Sequence, residues 1–224
     1  MRPSTFAAAT TSALLLATML MPATAADMTF ERGLNVQSEP QNWVLHHGNY
    51  QGHRFSALNE INSETAKNLK VAFTVGLGGI EGAGTRYKFG NLEATPIVED
   101  GILYVPDGWG SVYAIDVSNS KKGVIKWKFD PGVDRPWAGD VACCGVNNRG
   151  VALWKDKVIS IALDGRMFSL NKATGEMVWE RKIADPAIAE TLTIAPLVVR
   201  DLARLRLMPW RLARAWSDSP PRYS

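Results

Sequence analysis

The sequence predicts an all-β fold, and more specifically a β-propeller, from two observations. Short apolar segments alternate with polar residues at a period of two, as in strands, and the pattern of segment 94–129 recurs in segment 150–180. Trp127 and Trp179 mark equivalent positions of the two copies, 52 residues apart. Repeats of about 50 residues with four strands each are typical of β-propellers. A β-sandwich is the alternative fold, and the internal repeat argues against it.

Each copy contains the elements of a small antiparallel sheet of about four strands. The expected strand segments, separated by Gly, Asp-Gly and Asn turn signals, are 94–105, 110–116 and 123–129 in the first copy and 150–161, 165–171 and 175–180 in the second. A single sheet of this size cannot supply its own core. We therefore expect Trp127 and Trp179 to pack between neighbouring sheets.

Partial copies flank the two clear ones. A third copy begins at 195–201, and an earlier, diverged unit spans 43–73, which we expect to belong to a blade shared between the two ends of the chain. Roughly 200 residues supply about three to four blades of this size. The sequence therefore predicts the first three to four blades of a longer propeller, within a domain at 26–201.

The first 25 residues have the pattern of a secretory signal peptide. Arg2 is followed by the short apolar run 13–21 and by the small residues of Ala23-Thr24-Ala25. The apolar run is shorter than the roughly 20 residues that cross a bilayer, which argues against a membrane anchor. We expect cleavage of residues 1–25 and a periplasmic location for the mature protein.

The C-terminal segment 202–224 differs in composition from the rest of the chain. It contains five Arg, no Lys and one Asp, whereas residues 26–201 use Lys freely. A basic amphipathic helix at a lipid surface is one interpretation, but Pro209 and Pro220-Pro221 interrupt it. We predict that this anomalous basic tail results from a frameshift or truncation, which resequencing of the gene would test.

Composition excludes several classes of function. The net charge of +3 is small and scattered, so nucleic acid is not an expected partner. The three histidines, His46, His47 and His53, lie in one polar segment without Cys or paired carboxylates at ligand spacing, so they do not predict a metal site.

Adjacent cysteines at Cys143-Cys144 are the sharpest chemical signal in the sequence. A bond between neighbouring residues closes an eight-membered ring and strains the intervening peptide, unlike the usual disulfide between well-separated Cα atoms. The alternative is a pair of buried free thiols, which an oxidising compartment disfavours.

Four motifs carry a family resemblance. Segments 43–62, 92–96, 142–150 and 172–179, in this order and spacing, resemble the pyrroloquinoline-quinone (PQQ)-dependent methanol and ethanol dehydrogenases. The likeness covers about residues 33–201. It implies a periplasmic propeller of eight blades, in which a repeated Gly-x-x-x-Trp element docks one blade onto the next.

The resemblance also implies roles for individual residues. Glu93 matches a position that hydrogen-bonds PQQ, Arg149 matches one that pairs with a PQQ carboxylate or carbonyl oxygen, and Thr193 matches a hydroxyl donor to the same cofactor. Cys143 and Cys144 match a vicinal disulfide that lies flat against one face of the quinone. No catalytic residue and no metal ligand of the family falls within this chain.

The implied activity is oxidation of a primary alcohol to the aldehyde, with electrons passing to cytochrome c. The implied cofactors are PQQ and a calcium or lanthanide ion, the latter with ligands outside this chain, and a homodimer is expected for the full-length protein. We expect this chain alone to be inactive. The alternative is a non-catalytic propeller scaffold for protein binding, similar to an outer-membrane assembly lipoprotein.

Overall fold

The computed structural model describes residues 27–79, 81–83, 87–142, 145–188, 190–200 and 202–204. Their helices and strands, in chain order, are α1 (Phe30–Leu34), β1 (Glu81–Ala83), β2 (Tyr87–Phe89), β3 (Ile97–Glu99), β4 (Ile102–Pro106), β5 (Val112–Asp116), β6 (Val124–Phe129), α2 (Arg135–Val141), β7 (Ala152–Trp154), β8 (Lys157–Ile161), β9 (Arg166–Asn171), β10 (Met177–Lys182), β11 (Leu197–Val199) and β12 (Leu202–Arg204). Short 3₁₀ turns occupy Val36–Ser38, Ala66–Asn68 and Pro186–Ile188. No helix among these residues has the length and apolar character needed to cross a membrane.

Two four-stranded antiparallel sheets form the body of the described chain. The first has the strand order β3-β4-β5-β6 and the second β7-β8-β9-β10, so in each sheet every strand pairs with its neighbours in sequence. A third unit begins with the hairpin β11-β12. The repeat and the all-β propeller fold predicted from the sequence are therefore confirmed, and each sheet is one blade.

Leu202–Arg204, just past the predicted domain boundary at residue 201, pairs with β11. Residues 1–25, the predicted signal peptide, lie outside the described residues, as does the rest of the tail from 205 to 224. The signal peptide and the origin of the tail stay predictions.

The outer strands of both complete blades carry the same irregularity. In β6 the pairing with β5 skips Lys126, and in β10 the pairing with β9 skips Val178. Each skipped residue comes directly before the repeated tryptophan, Trp127 or Trp179. A bulge of this kind increases strand twist and re-aims the following side chain. The bulge is therefore part of the element that places each tryptophan.

Trp127 docks the first blade onto the second. Its indole Nε1 donates a hydrogen bond to the main-chain oxygen of Lys172, 3.1 Å away. Gly175 lies against the ring, since a Cβ added there would approach Trp127 Cδ2 to 2.6 Å, and its φ of +76° also favours glycine. Trp179 is partly buried and packs against a cluster that includes Leu192 and Val198 of the third unit. Both tryptophans thus lie between sheets, as the sequence predicts.

Phe73 occupies the corresponding place in front of the first blade. A Cβ added to Gly123, the first residue of the Gly-x-x-x-Trp element, would lie 3.0 Å from Phe73 Cε2 and 2.6 Å from Val75 Cγ2. Segment 69–79 forms no strand and has no strand partner among the described residues, although Val75 and Leu77 pack against Val105, Tyr113 and Ile115 of the central strands β4 and β5. This segment therefore has the position of the last strand of a preceding blade.

Residues 27–50, which we call the strap, contact three successive units. Met28 forms an antiparallel bridge with Lys155 after β7, and Trp43 forms one with Val98 in β3. The hydroxyl of Tyr50 donates to the main-chain oxygen of Val198 in β11, at 2.9 Å. The strap therefore ties together the innermost strands of the three units.

A buried ion network joins the strap to both complete blades. Glu99, at the end of β3, is 2% exposed. Its carboxylate accepts a hydrogen bond from Lys172 Nζ at 2.6 Å and forms an ion pair with Arg32 of the strap. Arg32 also makes a two-pronged ion pair with Glu39, in which Nε and Nη2 donate over 2.9 and 2.7 Å. Because a buried carboxylate is costly without partners, this network fixes the relative position of the three segments.

Candidate functional site

The segments that lead into the innermost strands converge at one place. The main-chain N–H of Thr95, before β3, donates to the oxygen of Arg149 at 3.1 Å, and the N–H of Arg149, before β7, donates to the oxygen of Thr193 at 3.2 Å. A further bond runs from the N–H of Asn91 to the oxygen of Val146, at 2.8 Å. Equivalent positions of three successive units are thus held side by side by their backbones.

Arg149 is fixed along one edge of its guanidinium group. Nη1 donates to the hydroxyl of Thr193 at 2.8 Å, to the Thr193 main-chain oxygen at 3.0 Å and to Asn147 Oδ1 at 3.2 Å. Nε and Nη2 make no hydrogen bond to another described residue. One edge of the group is therefore anchored, while the other can pair with a ligand.

Glu93 faces the open edge of Arg149. Its Oε2 lies 3.5 Å from Arg149 Nη2, and both side chains are 42% exposed. An ion pair this exposed is screened by water and contributes little to stability. The structure thus brings together Glu93, Arg149 and Thr193, the three described residues that the sequence predicted for a site. Cys143 and Cys144 lie outside the described residues, and the flanking Ala142 and Val146 are buried.

Two asparagines of this site were missed by sequence reasoning. Asn148 is buried, accepts from the N–H of Gly150 at 3.0 Å and donates through Nδ2 to the main-chain oxygen of Ile161 at 3.0 Å. This local turn sets the direction of the chain at Arg149. Asn147 contacts the guanidinium group directly. The available signal was the Asn147-Asn148 pair itself, because asparagine favours turns closed by its own side chain.

The described residues contain no group of three or more His, Cys, Asp or Glu side chains arranged to hold a metal ion. His46 lies beside Gly150, whose added Cβ would come within 3.1 Å of Nδ1. Burial and the nearby positive charges of His47 and Arg54 lower the pKa of His46, which favours its neutral form. In contrast to a metal site, the hydrogen-bond donors of Arg149 and Thr193 are suited to binding an organic anion.

Residues 43–182 match the family described as the glucose/ethanol/alcohol dehydrogenase β-propeller domain of PQQ enzymes. The chain belongs to this family. The chain is 34% identical over 201 residues to the lanthanide-dependent methanol dehydrogenase of Methylacidiphilum fumariolicum, covering 89% of the chain and 31% of that relative. It is 38% identical over 159 residues to the 1-butanol dehydrogenase (cytochrome c) of Thauera butanivorans, covering 70% of the chain and 21% of the relative.

A solved structure of the same family has a similar fold over most of this chain. The europium-containing methanol dehydrogenase superposes with a TM-score of 0.66 at 35% identity, over 77% of this chain and 28% of that one. The chain therefore spans less than a third of the length of these relatives. The relatives are dehydrogenases, so the matches do not favour the alternative of a non-catalytic scaffold.

The donor set at the site fits PQQ, a planar quinone that carries three carboxylates. The open Nε and Nη2 edge of Arg149 has the geometry of a two-pronged bond to a carboxylate. Because the Thr193 hydroxyl oxygen already accepts from Arg149, its own proton is free to be donated to a ligand oxygen. The residues present thus match the acidic, planar cofactor for which the family is named.

Proposed function

We propose that this chain is the N-terminal part of a periplasmic PQQ-dependent alcohol dehydrogenase. The enzyme would oxidise a primary alcohol to the aldehyde and pass the electrons to cytochrome c. The observation that carries the proposal is the cluster of Arg149, Thr193 and Glu93, brought together from two blades and the third unit in a chain whose residues 43–182 match the family. The 1-butanol dehydrogenase relative, whose name includes cytochrome c, supports the electron acceptor.

Each residue of the cluster would perform a distinct binding task. Arg149 would pair with a carboxylate of PQQ through its open edge, and Thr193 would donate a hydrogen bond to a neighbouring oxygen. Glu93 would accept from an N–H of the cofactor, and its carboxylate is close enough to Arg149 to keep its orientation. When bound, PQQ supplies an electrophilic quinone that takes two electrons from the alcohol.

Further features of the proposal rest on the sequence. A disulfide between Cys143 and Cys144 would cover one face of the cofactor, and the signal peptide of residues 1–25 would direct the protein to the periplasm. The calcium or lanthanide ion would be bound by segments that correspond to the remaining length of the relatives. The catalytic base would come from the same segments, so we expect the 224-residue chain by itself to bind PQQ without oxidising alcohol.

Titration of the purified chain with PQQ, followed by calorimetry, tests the binding role. We expect saturable binding that weakens about tenfold or more in Arg149→Leu, because a charge-assisted two-pronged bond is lost. Arg181→Leu, on the exposed face of outer strand β10, is the matched control and should bind like the wild type. Absent binding, or equal affinity of Arg149→Leu and the wild type, would overturn the proposed pocket.

A separate assay tests the expected inactivity of the isolated chain. The purified chain is mixed with PQQ, Ca²⁺ or La³⁺, a primary alcohol and an artificial electron acceptor. Reduction of the acceptor is followed by absorbance. We expect no turnover above a control without protein. Sustained turnover would show that the chain carries a complete catalytic centre.

A further inference from the structure

Asn147 contacts the guanidinium group of Arg149 through its side-chain oxygen. The residue is 2% exposed, and its Oδ1 accepts from Arg149 Nη1 over 3.2 Å. It precedes Arg149 by two residues, on the segment that Val146 anchors through its bond with Asn91. Asn147 is therefore a buried acceptor that contacts the binding arginine at Nη1, away from the open Nε and Nη2 edge.

The acceptors around Nη1 are all uncharged. Two N–H bonds of Nη1 are shared among the Asn147 amide oxygen, the Thr193 main-chain oxygen and the Thr193 hydroxyl. Among the described residues, the carboxylate that lies within ion-pair distance is Glu93, and this pair is half exposed to water. The contacts to Nη1 thus fix the guanidinium group of Arg149 without neutralising its positive charge.

A buried carboxylate at position 147 would change this balance. It would have the same shape as the amide and would form a short, water-excluded ion pair with Nη1. An incoming carboxylate of the cofactor would then compete with it for the same positive charge. A neutral and an anionic side chain at position 147 should therefore differ in their effect on the affinity of the site for an anionic ligand.

We propose that Asn147 is a positioning residue that orients Arg149 while leaving its charge available, and that it thereby sets the selectivity of the site for a quinone bearing carboxylates. The inference rests on the proposed function, since it concerns the same pocket. It assigns the discrimination between charged and uncharged quinones to a residue that need not touch the cofactor.

Two ligands distinguish the effect of ligand charge on binding from the effect of ligand shape. PQQ carries its carboxylates, whereas its trimethyl ester has the same ring system without them. In Asn147→Asp we expect affinity for PQQ to fall about tenfold, in line with one charge-assisted bond, and affinity for the ester to change less than about twofold. Asn119→Asp, in the exposed β5–β6 turn, adds the same charge elsewhere and should change neither affinity.

Two further variants exclude a merely structural effect. Asn147→Ala removes the acceptor without adding charge, so we expect a smaller loss of PQQ affinity, about two- to threefold. In the Arg149→Gln background, the additional effect of Asn147→Asp should vanish, because Asn147 acts through Arg149. Thermal unfolding of every variant, followed by circular dichroism, confirms that the compared proteins are folded.

The outcomes distinguish the inference from the proposed function. A wild-type chain that binds neither PQQ nor the ester contradicts both. Wild-type binding of PQQ with equal losses in Asn147→Asp and Asn147→Ala, or with equal losses for PQQ and ester, contradicts only the selectivity role of Asn147. An effect of Asn147→Asp that persists undiminished without Arg149 also overturns it.

Discussion

Trp127 combines two functions at a single residue, since its ring fills the space between blades and its N–H satisfies a main-chain oxygen. The close approach of Gly175 leaves no room for another side chain on that face. The hydrogen bond to Lys172 also fixes the turn whose side chain reaches Glu99. Blade docking and the buried ion network thus share one residue.

Replacement of Trp127 by Leu should destabilise the protein by about 2–4 kcal/mol, through the cavity left between blades and the loss of the hydrogen bond to Lys172. Urea unfolding, followed by far-UV circular dichroism, measures the change. Trp137→Leu is the matched control because Trp137, in α2, is 40% exposed, and we expect it to cost much less. Similar losses in both variants would contradict the docking role of Trp127.

Glu99 is the centre of the buried ion network, and its removal leaves a buried cation without its partner. We expect Glu99→Gln to lower the free energy of unfolding by about 3–5 kcal/mol, the usual effect of breaking a buried pair. Glu64→Gln, at an exposed position of the chain, is the control. A change at Glu99 no larger than that at Glu64 would show that Lys172 and Arg32 find other partners.

At the scale of elements, the strap is the segment that sequence patterns did not predict. Its contacts are single bridges and side-chain bonds to residues far along the chain, such as Arg32 to Glu99, which are 67 residues apart. The blades were predictable because apolar alternation and turn residues repeat locally. Glu99 looks like a surface residue beside the Asp100-Gly101 turn, and only the folded chain reveals its burial.

The residues of the candidate site likewise divide into those that the sequence predicted and those that it did not. Glu93, Arg149 and Thr193 were expected from the family resemblance, and the strand starts that carry them are brought together by backbone bonds. The contact of Asn147 depends on the conformation of one turn, which neither composition nor spacing encodes. Side-chain positions fixed by repeating elements were thus predictable, whereas those fixed by single turns were not.

The strap should also make stability depend on pH. The hydrogen bonds from Arg32 hold the pKa of the Glu39 carboxyl below its usual range. Because the pKa is lower in the folded chain, the contribution of Glu39 is fully present above about pH 5 and is lost as pH falls through the lowered value. The free energies of unfolding of the wild type and Glu39→Gln should therefore differ at pH 7, and the difference should shrink as the pH falls below the usual range of a carboxyl group. A difference that stays constant with pH would contradict the assignment to this ion pair.

At the scale of the whole molecule, several large apolar side chains that precede the first blade are exposed. Phe55, Ile61 and Val71 are 64%, 64% and 81% exposed, and segment 69–79 lacks a strand partner among the described residues. Exposed apolar groups beside unpaired strand edges favour association between chains. The isolated 224-residue chain should therefore self-associate.

Sedimentation velocity at increasing concentration measures this association. We expect species larger than the monomer for the wild type and a shift toward monomer for Val71→Lys, because a charge at an exposed edge opposes pairing. Ser63→Lys, at an exposed polar position, adds the same charge and should leave association unchanged. A wild-type chain that sediments as a monomer throughout would contradict the prediction.

The backbone bonds from Thr95 to Arg149 and from Arg149 to Thr193 have a consequence for how such a chain can vary. The linked residues are 54 positions apart in the first case and 44 in the second, yet the bonds are nearly equal, at 3.1 and 3.2 Å. Most of the difference of ten residues lies in the connections between blades, since 22 residues, which include α2, link β6 to β7, whereas 14 link β10 to β11. Insertions and deletions in those connections can therefore accumulate while the pocket keeps its dimensions, because each blade is aligned at its inner end.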